Sequence, residues 1–292
     1  MVDFLQTLTL GLLLGGVYAL FASGLTLVFG VMRIVNIAHT VFIFMAAFIA
    51  YHLNQLFGVD PIASIAINMP VMFLFGIALY RLVLARDAES PRYTEMTVLI
   101  TFALALITEG ILAFLFTGTI RTVRTPYAVG SYLIGDVFIP KGQLYAVITS
   151  FALIGLLWAF LRFTRLGYAI RATMQNRAAA KTVGVNVTQV SMIAFGTGMA
   201  LAGASGSLWS FLFSFFPSGH WEWVALLLSL IVLGGMGQLA GAVVGALLLA
   251  VIAAFVSRQF GPTWSPLTFY LSLFVILLVR PQGLFGKKIE ER

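Results

Sequence analysis

The chain has 292 residues, 61% of them hydrophobic and only 9% charged, with a formal net charge of +7 and a mean hydropathy of +1.03. Soluble domains are about 45–50% apolar and about 25% charged, and a soluble fold cannot hide this much apolar surface, so a water-soluble enzyme is excluded, as is a disordered chain. The class is an all-α polytopic membrane protein, with room at roughly 20 apolar residues per span for about eight or nine spans and no sizeable extramembrane domain.

The amino terminus, Met1-Val2-Asp3-Phe4, carries no basic residue, so it does not read as a cleavable signal and the first apolar stretch is expected to stay as a span. Hydropathy places helices at about residues 8–29, 37–53, 61–84, 97–117, 144–163 and 188–213. A shorter segment follows at about 223–233 and breaks at Gly234-Gly235-Met236-Gly237-Gln238-Leu239-Ala240-Gly241; two more helices lie at about 242–256 and 266–279. The apolar runs are too long and uniform for barrel strands, which alternate over about ten residues. The whole is one transmembrane domain, residues 1–292, with two loops of note at about 118–142 and 162–187.

Basic residues set the orientation. Of 17 Lys and Arg, 13 fall in one set of loops: Arg33; Arg81, Arg86, Arg92; Arg162, Arg165, Arg171, Arg177, Lys181; and Arg280, Lys287, Lys288, Arg292. The other set holds Arg121, Arg124, Lys141 and Arg258. This bias predicts an external amino terminus and a cytoplasmic carboxyl terminus. It holds only if the chain turns back at Gly234–Gly241, so a half-helix or re-entrant segment is expected near 223–241. The positive charge is read as retention of loops on one side of a membrane, and nucleic acid is not expected as a partner.

There is no cysteine, which removes disulfides, thiolate metal sites and a cysteine nucleophile. His39, His52 and His220 are far apart and not at ligand spacing, so no metal site is assigned. No Walker A loop, zincin motif, nucleophile elbow or paired intramembrane carboxylates occur; Gly283-Leu284-Phe285-Gly286-Lys287-Lys288 has the wrong spacing for a phosphate loop. No catalytic or cofactor-binding residue is assigned, and any energy the chain uses must come from an ion gradient or a partner.

Small residues recur every fourth position at Gly11, Gly15, Ala19 and Ser23, and again at Gly237, Gly241 and Gly245. Such stripes pack helices closely within one bundle or seat a second subunit. Asn36-Ile37-Ala38-His39-Thr40 precedes and opens the second helix. Asn36 either caps that helix or, with His39 and Thr40, lines a polar path. Glu109 stands mid-span in Thr108-Glu109-Gly110; an ionisable group there either serves a solute or proton path or holds helices by hydrogen bonds, with His39 or a backbone group at a helix break as its expected partner. The basic loop 162–187 contains an Ala-rich helical stretch, Arg177-Ala178-Ala179-Ala180-Lys181, with Gly184 placed to end it. It reads as a solvated linker or as a docking element for another protein.

Over nearly its whole length the chain resembles the branched-chain amino acid ABC importer permease family (LivH/LivM type), on the LivH-like branch. The resemblance rests on Gly11–Leu20, on Gly24–His39, on the loop from Arg171-Ala172 to Gly184-Val185-Asn186, on the turn Leu233–Gly241, and on Arg280-Pro281-Gln282-Gly283-Leu284-Phe285-Gly286. It implies a path for branched-chain amino acids or a related small polar solute. It also implies a second, LivM-like permease, two cytoplasmic ATPases that use ATP and Mg, an external substrate-binding protein, and residence in the bacterial inner membrane. The coupling surface for an ATPase would be Arg171, Gln175, Asn176, Ala179, Ala180 and Gly184; the path or its support would be Asn36, His39, Thr40 and Glu109. Two departures stand out. Ala178 replaces the Glu of the usual Glu-Ala-Ala-x-x-x-Gly, so docking is expected on spacing alone. Thr40 replaces the Gly that usually follows His39, adding a methyl and a hydroxyl beside the path. A stand-alone ion-coupled transporter using Glu109 is the competing reading; a membrane enzyme or scaffold fits the residues less well.

Overall fold

A computed structural model describes residues 2–85, 92–280 and 282–286. Eight helices are long and apolar enough to cross a membrane. They are α1 (Val2–Met32), α2 (His39–Phe57), α3 (Pro61–Leu79, continued by a π-helical turn, Tyr80–Leu84), α4 (Tyr93–Phe116), α5 (Lys141–Phe163), α8 (Val187–Leu212), α10 (Leu239–Phe260) and α11 (Ser265–Val279, its span lengthened to 18 residues by a preceding 3-10 turn, Pro262–Trp264). Three shorter helices complete the set: α6 (Arg165–Gln175), α7 (Arg177–Thr182) and α9 (Trp221–Gly234). The expected all-α polytopic class and the separate short segment are both present. Of the basic residues used for orientation, Arg86, Lys287, Lys288 and Arg292 lie outside the described residues, as does Pro281.

Two differences from the sequence reading have local causes. Helix α1 begins at Val2, six residues before the first apolar stretch, with Asp3 placed in its first turn, where a carboxylate suits the helix dipole; Thr7 and Thr9 fold their hydroxyls back onto the carbonyls of Asp3 and Leu5 (2.9 and 2.8 Å). Arg258 holds that first turn through Asp3 at 3.0 Å. The loop 118–142 is not wholly irregular: β1 (Ser131–Ile134) and β2 (Val137–Pro140) pair antiparallel around Gly135-Asp136, with Gly135 at φ +61°. Such a two-residue turn needs a positive φ, which glycine adopts without a Cβ clash. Gln6 grips both backbone groups of Phe138 (2.7 and 2.9 Å) and ties the hairpin to α1. Beside it Tyr127 donates to the Asp60 carboxylate at 2.8 Å; burial, then that carboxylate, push its phenol well above the ordinary range.

Helix α1 is the central column. Its apolar window is 89% buried, against 17% for α4 and 11% for α11, and it is apolar all round, as a buried helix must be. Its glycine stripe packs inside this one chain: a Cβ on Gly11 or Gly15 would lie 2.8 or 2.9 Å from the α10 backbone at Val251 or Leu247. On another side Gly24 meets the Gly198 carbonyl of α8.

Helix α8 in turn carries α2 and α3. Ser207 of α8 accepts from Ser64 (3.0 Å) and Asn68 (2.7 Å) of α3, and Asn68 also donates to the Ala46 carbonyl of α2 (3.1 Å). All three side chains are buried. Replacing Ser207 with Ala is expected to lower stability by about 0.6–1.7 kcal/mol, the span from the average to the largest value for an interhelical bond inside a membrane, as read by equilibrium unfolding in SDS.

Helix α9 has 14 residues. At 1.5 Å rise each it reaches about 21 Å, short of the roughly 30 Å hydrocarbon core. It ends in a tight reversal in which Gly235 and Gly237 take φ of +95° and +84°, and α10 runs back against it. The backbones of α9 and α10 touch where Gly234 faces Gly241. The carboxyl-terminal turn docks on the same reversal, Leu284 donating to the Leu233 carbonyl at 2.8 Å. The two glycine-rich motifs noted in the sequence therefore interlock, and the hairpin required by the charge pattern exists.

Candidate functional site at two helix breaks

The segment between α1 and α2, residues 33–38, is not helical. It runs back into the bundle: a Cβ on Gly24 would lie 3.1 Å from the His39 ring. Gly24 is eight residues, about 12 Å, before the end of α1, so the His39 ring at the start of α2 reaches well inside that end. Irregular backbone at membrane depth must find partners within the protein. Thr101 of α4 provides one, its hydroxyl accepting from the Ile37 N–H (3.4 Å) while its own proton is shared between the Val98 carbonyl of α4 (3.1 Å) and the Val35 carbonyl (3.5 Å).

The second break follows α8. Phe215 exchanges both backbone hydrogen bonds with Arg121 (2.9 Å each), and Val123 donates to the Ser210 carbonyl at 2.7 Å. The loop 118–142 thus closes over the end of α8. A 3-10 turn, Pro217–His220, then leads into α9. Below it Trp209 and Trp223 meet edge to face at 4.3 Å and fix the start of α9 against the core.

These breaks bring three polar groups together. His220 lies 3.4 Å from the Thr40 hydroxyl through Nδ1 and 3.4 Å from Glu109 Oε2 through Nε2. Trp221 donates its indole N–H to the same Oε2 at 2.7 Å. A neutral imidazole satisfies the chain when Thr40 donates to Nδ1 and Nε2–H donates to the carboxylate. His220 and Thr40 are buried, while the Glu109 side chain is 22% exposed. Its Oε1 has no protein partner among the described residues, so the carboxylate offers one free acceptor to an ammonium, hydroxyl or amide group. Around it α4 is apolar and open, with Leu99 and Phe114 70% and 88% exposed.

Of the expected path residues, the structure joins Thr40 and Glu109 through His220. His39 is fully buried against α1; the Phe21 carbonyl lies near its ring without well-formed hydrogen-bond geometry. Asn36 does not cap α2. The cap position is Ala38, and both amide atoms of Asn36 are buried without a partner. Only its backbone carbonyl serves the helix, accepting from His39 N–H at 3.2 Å. His39 is not the partner of Glu109 either: His220 and Trp221 are. Sequence reasoning assigns His220 no role, because the three histidines are not at ligand spacing; its neighbours in space lie 111 and 180 residues away in the chain. The available signal was Gly219-His220-Trp221-Glu222, a cluster with two ionisable groups opening the shortest of the apolar segments.

The loop 162–187 folds into α6 and α7, meeting at Asn176. Thr164, Asn176 and Asn186 each cap a helix, accepting from Gly167, Ala179 and Gln189 (2.9, 3.0 and 3.0 Å). Gly184, at φ +86°, terminates the second turn as expected. Ala178, Ala179 and Gly184 are exposed, but Ala180 is buried against the body. A partner would therefore meet Ala179 and not Ala180. Arg171 and Gln175 line a cleft between α6 and the end of α1.

A polytopic helical bundle that holds an ionisable cluster at two broken helices has the build of a membrane transport protein. A family model described as "Branched-chain amino acid transport system / permease component" matches residues 7–279. The chain is 27% identical, over 99% of its length and 98% of the relative's, to the high-affinity branched-chain amino acid transport system permease protein BraD of Pseudomonas aeruginosa. It is 26% identical, over 99% and 97%, to the corresponding LivH protein of Escherichia coli, and 26% identical, over 91% and 88%, to a probable LivH of Methanocaldococcus jannaschii. No solved structure matches the chain. The chain belongs to the branched-chain amino acid transport permease family.

Proposed function

We propose that the chain is the transmembrane permease subunit of an ATP-driven importer and forms part of the path for branched-chain amino acids or a related small polar solute. The observation that carries this reading is the Glu109–His220–Thr40 cluster at the helix breaks, in a chain of this family. The half-exposed face of α4 around Glu109 supports a second permease there, because a carboxylate facing lipid is costly. A LivM-like chain fits that role. The basic end, with Arg33, Arg162 and Arg171, is read as cytoplasmic in a bacterial inner membrane, with the carboxyl terminus inside. Two ATPase subunits using ATP and Mg would dock there on α6 and α7, and an external binding protein would deliver solute at the other end. ATP would then favour one arrangement of the ATPases, and the docked helices would pass that preference to the bundle.

The test is uptake of labelled leucine into proteoliposomes holding the chain with its partners, binding protein outside and ATP inside. Uptake that requires both supports the reading. Uptake by this chain alone, driven by a proton gradient without ATP, overturns it. The docking surface has its own test. Ala179→Arg leaves the fold intact, since that side chain is exposed, but is expected to cut coupled uptake by about tenfold or more, the scale of losing one interface hot spot. Unchanged uptake would remove α7 from the interface.

A further inference from the structure

The basic end of the bundle contains a cleft of about 770 Å³ between the last turn of α1, the end of α5, α6 and the start of α10. Three guanidinium groups line it, from Arg33, Arg162 and Arg171, and no acidic residue does among the described residues. Each arginine is positioned. Arg33 sits at φ +59°, a strained value for a residue with a Cβ, and donates to the Met174 carbonyl of α6 at 3.2 Å. Arg171 stacks on Tyr168 at 4.8 Å and donates to the Arg162 carbonyl at 3.5 Å, and its Nε is buried without a partner. Arg162 lies over the Trp158 ring at 5.4 Å. Helix α10 also begins in the cleft, at Gln238, with no side chain capping its first turn. Converging cations, a buried unpaired N–H and an uncapped helix start together call for an anion.

The setting says where that anion comes from. Trp158 lines the cleft and is 50% exposed on the flank of α5, and Phe163 beside it is 67% exposed. Aromatic and arginine side chains grouped at the end of a span mark the headgroup level of a bilayer, where basic pockets between helices hold anionic lipids. We propose that this cleft binds the phosphate of an anionic phospholipid and so clamps α6 to the end of α1. The lipid would take Arg171 and border Gln175, leaving α7 for ATPase docking; the inference rests only on these helices spanning a membrane, not on the solute or on ATP.

The test is native mass spectrometry of the full chain in mild detergent with added phosphatidylglycerol or phosphatidylcholine. The expected result is a retained one-to-one phosphatidylglycerol adduct, no equivalent phosphatidylcholine adduct, and a loss of about fivefold in phosphatidylglycerol affinity for each of Arg33→Gln and Arg162→Gln. Arg162 is exposed, so its variant keeps the test open if Arg33→Gln misfolds. Arg258→Gln, at the opposite end, should retain lipid like the parent chain. Equal retention in Arg33→Gln and Arg162→Gln would overturn the proposal. So would displacement by inorganic phosphate, which would make the ligand a soluble anion. Complete loss of lipid in the assembled complex would also overturn it and give the cleft to an acidic segment of the ATPase.

Discussion

Replacing Glu109 with Gln is expected to lower solute uptake by about 10- to 100-fold while the chain still inserts and assembles. The substitution keeps the volume and an acceptor for the Trp221 indole, which now bonds Oε2 at 2.7 Å. It removes the charge that attracts a solute cation and strengthens the bond from His220. Hydrogen bonds to a charged group contribute about 1.5–3 kcal/mol, which sets that range in rate if the solute makes the contact. Trp221→Phe is the companion: it deletes one donor to the carboxylate but leaves the charge, so its effect on uptake should be smaller. Uptake at the parent rate in Glu109→Gln, with normal assembly, would reduce Glu109 to a helix-packing role.

Replacing Gly241 with Val is expected to abolish folding. A Cβ at Gly241 would overlap the carbonyl oxygen of Gly234, and both belong to the backbones of packed helices. Neither helix can withdraw easily, because Gly11 and Gly15 press α10 onto α1 and the carboxyl-terminal turn is bonded to Leu233. A clash of backbone with side chain at such a crossing belongs with the rare substitutions that cost more than about 4 kcal/mol. No monodisperse chain should be recovered in size-exclusion chromatography. Gly110→Ala is the matched comparison. Gly110 lies in α4 with nothing near its would-be Cβ, so the substitution should fold normally and gain about 0.8–1.0 kcal/mol of helix propensity.

The spans were legible because each is a long, nearly uninterrupted apolar run, and the turn at Gly234–Gly241 was legible because the basic residues alternate sides only if the chain reverses there. The hairpin at 131–140 escaped notice because its strands of four residues are too short for a periodic signal. The site was half legible. Glu109 announces itself as a charge inside a span, and Thr40 as a departure beside His39. Their connection through His220 depends on two breaks in helices that come together only in three dimensions. Asn36 misled for a related reason: a good capping residue before a helix usually caps it, but here the segment 33–38 turns inward and leaves its amide without a partner.

The pairing of Thr40 with His220 also sets a schedule. His220 follows Thr40 by 180 residues. At about 5–20 residues per second, synthesis needs roughly 10–40 s to supply it. Glu109 precedes His220 by 111 residues, so for roughly the last 6–22 s of that interval α1 to α4 are complete while the first helix break and Glu109 still lack His220 and Trp221. The polar cluster between the helix breaks is therefore left open in the early helices, and the growing chain relies on water or the insertion machinery to cover it until α9 arrives.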